Sequence, residues 1–494
     1  MRKWGPLVAV CLGTFMLLLD VTIVTVALPD MASSLDASLS SLQWVIDVYA
    51  LALAALLLGA GAGADVAGRR KFYAAGTVLF ALSSLACGLA DSSGVLITMR
   101  ALQGVGAAAM FATTLPLLGA AYQGRDRSVA LGVWGAVNGA AAALGPILGG
   151  LLTEGFGWRW IFFVNLPVSA AAVWLTIRVV PESKNPAGGR IDWAGTVLFA
   201  LFAGSLTYGA VNAGTDGWGA TRTLVSFAVS ALALLVFVVA ERRAARPLMD
   251  LSLLRRPAFV GVLVAAVALN AAAFGVLPYT SIWLQTLLGM SPVTGGLALV
   301  PLALASFATS ALGGRFLHGV SQRLLLCLGL LLIGLGMFGQ ALLDSGSDWK
   351  SLVAGLIVTG IGVGLVSPAL ASAALASVPQ RSSGMATGAM NSVRQLGYAV
   401  SIAVFGTLVT SRMTDSLHSD EQARALAGGA AGALRGRVPD EALHSAFATG
   451  LNWGAVAAGS LAVVAALAVF ALVRTPSAPP VQVRTNAPVP VERA

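Results

Sequence analysis

The chain has 494 residues, 57% of them hydrophobic and only 10% charged, with a mean hydropathy of +0.84. Soluble domains carry roughly 25% charged residues, so this composition excludes a soluble enzyme or a secreted disulfide scaffold and describes an all-α polytopic membrane protein. The formal charge of +9 is spread over segments that flank apolar runs and builds no basic-aromatic surface, which excludes a nucleic-acid partner.

Arg2 and Lys3 precede an apolar run that continues to Pro29. It is too long for a signal-peptide core and is read as a retained first span. Hydropathy windows predict fourteen spans, at 7–29, 43–63, 72–90, 95–119, 128–152, 158–178, 192–213, 222–240, 258–280, 293–313, 323–343, 351–373, 388–410 and 450–473. Alternate connecting segments, with the span ends that adjoin them, hold 22 of the 30 Lys and Arg (Arg394 near the inner end of span 13 among them), the others seven, and Arg100 lies within a span. The positive-inside rule then places both termini in the cytoplasm. Arg, Ala and Gly predominate in a way that fits a GC-rich bacterial genome, so the expected location is a bacterial cytoplasmic membrane.

Spans 1–6 and 9–14 form two six-helix blocks with two spans between them. The expected units are an N-terminal bundle at 1–180, two extra spans at 181–257 and a C-terminal bundle at 258–473. A Pro-rich tail at 474–494 is expected to be disordered. The loop at 411–449 should hold a short interfacial helix or hairpin.

Ionisable residues inside spans are costly and mark function. Three stand out: Asp20, Asp47 and Arg100. At 1.5 Å per residue they lie about 13, 6 and 8 Å below the outer surface, close enough in depth to share one cavity. A carboxylate in a low-dielectric span can take a proton on one side and release it on the other, and a nearby arginine tunes that exchange. Asp20 is the expected main coupling group, Asp47 a second proton or cation site, and Arg100 their charged partner.

The segment GAVNGAAAALGPILGG (135–150) combines a helix-bending proline, Pro146, with Gly145, Gly149 and Gly150, which leave room for a close neighbour. It reads as a moving part. A substrate cavity should be apolar with few polar groups. Its expected liners are Trp44, Tyr49, Trp134, Asn138, Tyr279, Trp283, Gln285, Asn391 and Gln395. Cys11, Cys87 and Cys327 lie in apolar runs, and His318, His418 and His444 have no metal-ligand spacing. No metal and no cofactor beyond a proton gradient is expected.

Four motifs resemble the major facilitator superfamily, in its fourteen-helix drug:proton antiporter branch. They are LDVTIVTVALP (19–29), GAGADVAGRRK (61–71), LITMRALQGVGAA (96–108) and the GPILGG segment. The second departs from the family pattern at Gly63 and Val66. The resemblance implies two rocking bundles, with Asp65 and Arg69 holding helix ends together at a gate. Gly61 and Gly68 would permit its turn, and Asp126 would partner one of its cations. It also implies a monomer that exchanges a small lipophilic substrate for protons among membrane lipids. Span 10 and span 13 carry no acid, and Arg394 adds a cation. Dicationic substrates are therefore disfavoured, and a monocationic, zwitterionic or neutral compound is expected. A proton-independent uniporter, a metabolite exporter, a membrane enzyme and a non-transporting sensor are the competing readings. The missing G-x-x-x-x-G-K-[ST] loop argues against an ATP-driven pump.

Overall fold

The computed structural model describes residues 3–37, 39–184, 192–244, 247–317, 319–378 and 383–473, so the tail at 474–494 falls outside the described residues. The first block comprises α1 (Gly5–Leu35), α2 (Leu39–Ala67), α3 (Arg69–Gly88), α4 (Ser93–Ala121), α5 (Gly124–Phe156), the single turn α6 (Trp160–Phe163) and α7 (Asn165–Val179). Two further helices follow, α8 (Trp193–Thr215) and α9 (Thr221–Arg243). The second block begins with α10 (Pro257–Phe274) and α11 (Leu277–Ile282), which runs into a π-turn at Trp283–Leu287. It continues through α12 (Pro292–Phe316), α13 (Gln322–Gln340), α14 (Lys350–Ala376), α15 (Ser383–Leu417), α16 (Asp420–Ala427), α17 (Ala431–Leu434) and α18 (Asp440–Leu472).

Among the described residues, 13 segments are long and apolar enough to cross a membrane, with α6–α7 and α10 through the π-turn each counting as one. With the 33-residue α5, whose length is about 50 Å, they account for the fourteen expected spans. The polar loop is shorter than expected, because α15 runs on to Leu417 and α18 begins at Asp440. Asp440 and Glu441 lie in the first turn of α18, where carboxylates favour the helix dipole. Between those helices, α16 and α17 supply the short helical insert.

Local chemistry fixes the ends. Ser92, Asp192, Ser291 and Ser321 each accept a bond from a backbone N–H one turn into α4, α8, α12 and α13, satisfying donors the helix leaves open. Side-chain burial then comes from close packing. A Cβ on Gly106 of α4 would sit 2.8 Å from the Gly76 carbonyl of α3, and one on Gly336 of α13 would sit 2.7 Å from the Gly355 carbonyl of α14. The same device thus joins corresponding helix pairs of the two blocks.

Within the first block α1 packs on α4, α5 and α7, α2 on α4, and α3 on α4 and α7. Within the second, α10 packs on α15 and α18, α13 on α14 and α18, and α12 on α14. Two seams join the blocks, α5 against α12 and α2 against α15. The α8–α9 pair sits over the second seam, where α8 contacts both α2 and α15. Phe199, Ala203 and Phe237 of that pair share an apolar cluster with Ala54 and Leu58 of α2 and Ala386 and Ala389 of α15.

Candidate functional site: a buried charge cluster and the seams

Asp20 and Arg100 meet in the first block, both fully buried and joined as an ion pair. The Asp20 Oδ1 also accepts from Gln103 Nε2 at 3.1 Å and from Asn165 Nδ2 at 3.0 Å. Arg100 in turn donates to the Val45 carbonyl at 2.9 Å and to Gln103 Oε1 at 2.8 Å. Its guanidinium lies 4.3 Å from the centre of the Tyr49 ring, a cation–π contact. Asn165 passes the network on to Ser84, whose hydroxyl donates to the Phe162 carbonyl. One carboxylate therefore ties together α1, α2, α3, α4, α6 and α7. Burying charge without such compensation is costly.

Asp47 does not join this cluster. Val45 and Tyr49 face Arg100, and Asp47, midway between them on α2, lies on another face of the helix. It is half-buried and makes no ion pair or hydrogen bond with the described residues. Gln103, Asn165 and Ser84 are the functional neighbours that sequence reasoning missed. The spacing of Gln103 one turn after Arg100 was the available signal.

The nine expected cavity liners are spread over several settings. Tyr49 and Trp134 are buried inside the first block, where Trp134 Nε1 donates to Thr14 Oγ1 at 3.2 Å. Trp44 packs on Tyr208 of α8, with ring centres 5.4 Å apart. Asn138 donates to the Trp134 carbonyl on its own helix, and Gln285 to Ser281. Tyr279 donates to the Ile402 carbonyl of α15, and Trp283 is buried in the π-turn. Gln395 accepts from Asn270 of α10 at 3.4 Å, and Asn391 is buried on α15. A cavity of about 270 Å³ between α5, α13 and α14, lined by Ser128, Leu131, Gln322, Leu325, Pro368 and Ser372, includes none of the nine.

The α2–α3 turn is held firmly. Arg69 Nε donates to Asp65 Oδ1 at 2.8 Å, and both side chains are largely buried. Its backbone N–H donates to the Ser183 carbonyl at 3.0 Å. Glu182, not foreseen, accepts from the Arg70 and Ser183 backbone N–H groups. Gly68 adopts φ +105° with the Glu182 carboxylate against its α-carbon, a position that favours glycine. Two expectations are corrected here. Gly61 lies inside α2 and makes no turn; Gly68 alone turns the chain. Asp126 pairs with Lys3 at 2.9 Å rather than with a cation of the turn, because Glu182 already occupies the Arg70 side.

In α5, Gly145 and Gly149 receive α1. A Cβ on Gly149 would sit 2.8 Å from the Ile23 carbonyl, and one on Gly145 would overlap Thr22. Gly150 instead faces Val293 of α12, and Gly135 faces Ser310 and Pro368. The helix thus presents glycines both to its own block and to the seam. It continues through position 146, while the Pro146 side chain lies outside the described residues.

The family model of the Major Facilitator Superfamily matches residues 10–402. The chain belongs to that superfamily. It is accordingly a multi-pass membrane transporter and not an enzyme. It is 36% identical over 412 residues to multidrug resistance protein Stp of Mycobacterium tuberculosis, covering 83% of this chain and 76% of that protein. To the tetracenomycin C resistance and export protein of Streptomyces glaucescens it is 32% identical, covering 100% and 95%. To the puromycin resistance protein pur8 of Streptomyces alboniger it is 34% identical, covering 83% and 82%. Among solved structures, the major facilitator fold is shared with a proton:xylose symporter, with TM-score 0.64, 14% identity and coverage of 96% of each chain.

Proposed function

We propose that this major facilitator protein is a proton-coupled exporter of lipophilic drugs or antibiotics. It would work by alternating access in the cytoplasmic membrane of a bacterium, as a monomer with both termini inside. Similarity to resistance and export proteins, over the whole chain in one case, supports the drug-export reading. The observation that carries the coupling is the fully buried Asp20–Arg100 pair on which six helical elements of one bundle converge. Protonation of Asp20 would release Arg100 and loosen α1 from α4 and α7, so the proton and the bundle geometry would be linked. Asp47, half-buried and without a bonded partner among the described residues, would be the second proton site. Asp65 with Arg69, and the α5 glycines at the seam, would control closure.

The test is substrate-dependent proton release from inverted vesicles, read with a pH-sensitive dye, for wild type, Asp20→Asn, Asp20→Glu and Asp47→Asn. Proton release that Asp20→Asn abolishes and Asp20→Glu retains is expected. Asp47→Asn breaks no ion pair, so its reduced coupling would arise without a folding defect. Drug movement that ignores the pH gradient in every variant would replace the antiporter with a uniporter.

A further inference from the structure

Arg394 lies on α15 and faces the other block. It is 8% exposed, and its guanidinium lies 5.2 Å from the centre of the Phe111 ring on α4. No carboxylate pairs with it, and its Nε is buried without a hydrogen-bond partner among the described residues. One turn earlier Asn391 is 1% exposed, and neither its Nδ2 nor its Oδ1 has a partner among those residues. Positions three apart share a helix face, so both side chains look into the same region between α15 and the first block. Arg100, buried to a similar degree, has Asp20, Gln103 and a backbone carbonyl; Arg394 has one aromatic ring.

The surrounding helices supply no counter-charge. No Asp or Glu occurs in α4, α10, α12, α13 or α14, and the one acid of α15, Asp415, lies six turns away near its far end. On α2, Gly388 of α15 approaches Leu57 and Leu58. Asp65 and Asp47 lie to either side of that level; Asp65 is bonded to Arg69, and Asp47 forms no ion pair with Arg394. An ionised guanidinium is not buried alone without cost, and where the chain offers no partner, a ligand can.

We infer that Arg394 and Asn391 form a binding site for an acidic group, such as a carboxylate, enolate or phenolate, on the lipophilic molecule this transporter moves. The guanidinium fork matches such an anion with two parallel bonds, the Asn391 amide adds a donor, and the Phe111 ring gives a wall for a flat apolar skeleton. This inference rests on the exporter reading and assigns an acidic substrate in place of the monocationic, zwitterionic or neutral one expected from sequence. The site stands between α15 and α4, one helix from each block, so an anion held there would touch both.

The test uses purified full-length protein in nanodiscs, titrated with 1-pyrenebutyrate and with its uncharged amide, and read by pyrene fluorescence anisotropy. Wild type is expected to bind the acid about tenfold more tightly than the amide, the gain of a charge-assisted bond. Arg394→Gln should erase that preference, Arg394→Lys should keep part of it, and Asn391→Ala should weaken acid binding alone. Failure of wild type to bind the acid, equal binding of acid and amide, or a preference that survives in Arg394→Gln overturns the site. Thermal unfolding of Arg394→Gln checks that the variant is folded. Efflux of ethidium and of the amide is followed in parallel. Efflux without acid preference removes the anion site and leaves the exporter. Arg394-dependent acid binding without flux of any compound supports the site and removes the exporter.

Discussion

The two six-helix blocks use the same glycine-to-backbone approach, at α3–α4 and at α13–α14, yet they treat polar groups differently. The first buries a carboxylate and a guanidinium at its centre and surrounds them with amides, a backbone carbonyl and an aromatic ring, leaving Nη2 of Arg100 without a hydrogen-bond partner among the described residues. The second buries neutral groups between the corresponding helices, where Gln340 of α13 donates to Thr359 of α14 at 3.1 Å. Its buried arginine, Arg394, stands instead between the blocks, against Phe111 of α4, and lacks a counter-charge among the described residues. Compensated charge inside a block holds helices in register. Uncompensated charge between the blocks is the feature on which the proposed anion site rests.

Substitutions can break this contrast. The largest effect is expected from Asp20→Asn, which strands Arg100 and should cost about 3–5 kcal/mol, read as thermal unfolding in detergent. Arg100→Gln should cost a similar amount, and the double variant should cost less than the sum of the two, which a double-mutant cycle would show. Next come Gly149→Ala and Gly336→Ala, each expected to cost about 1–3 kcal/mol by overpacking against a backbone carbonyl. The contrast sharpens in transport: Gly149→Ala should slow flux in the folded protein because α5 also forms a seam, whereas Gly336→Ala should not. A comparable loss of flux in both would erase the distinction. Arg394→Leu should act in the opposite sense to the Arg100 change, with stability raised by about 1–2 kcal/mol as an uncompensated charge is removed; a large loss of stability would mean that Arg394 is structural. Gly68→Ala, forced to keep φ +105°, should cost about 1 kcal/mol. Lys3→Ala breaks a solvent-exposed pair and should change the unfolding temperature by no more than the scatter of the measurement.

The spans were legible because hydropathy reports burial in lipid directly, and the pairing of Asp20 with Arg100 followed from their shared depth. Helix azimuth was less legible. Asp47 has the depth to meet Arg100 but not the facing, since it sits between Val45 and Tyr49 on a helix whose other faces meet α8 and α15. The aromatic residues expected around one cavity were chosen by residue type, and type does not tell an intrablock packing position such as Trp134 from a seam position. Gly61 was grouped with Gly68 by sequence proximity, yet only one of them reaches the turn. The ninth span was drawn to end at 280, whereas helical backbone continues through the π-turn to Leu287. Pro278, with no backbone N–H to donate, interrupts the ladder there without ending the crossing. The partners of the charge cluster, Asn165 above all, are 145 residues away in sequence and carry no local signal.

The α8–α9 pair gives the molecule two unlike flanks. Along the α2–α15 seam, α8 lies across the joint as a roof, fixed at one end by the bond from Trp218 Nε1 to Thr407 Oγ1 at 2.6 Å. Over α5 and α12 the pair makes no such packing. Among the described residues, the α8–α9 pair therefore clads one joint and leaves the other without it. For the lipophilic cargo proposed above, this would make one side the preferred approach even though the two blocks are built to a common plan.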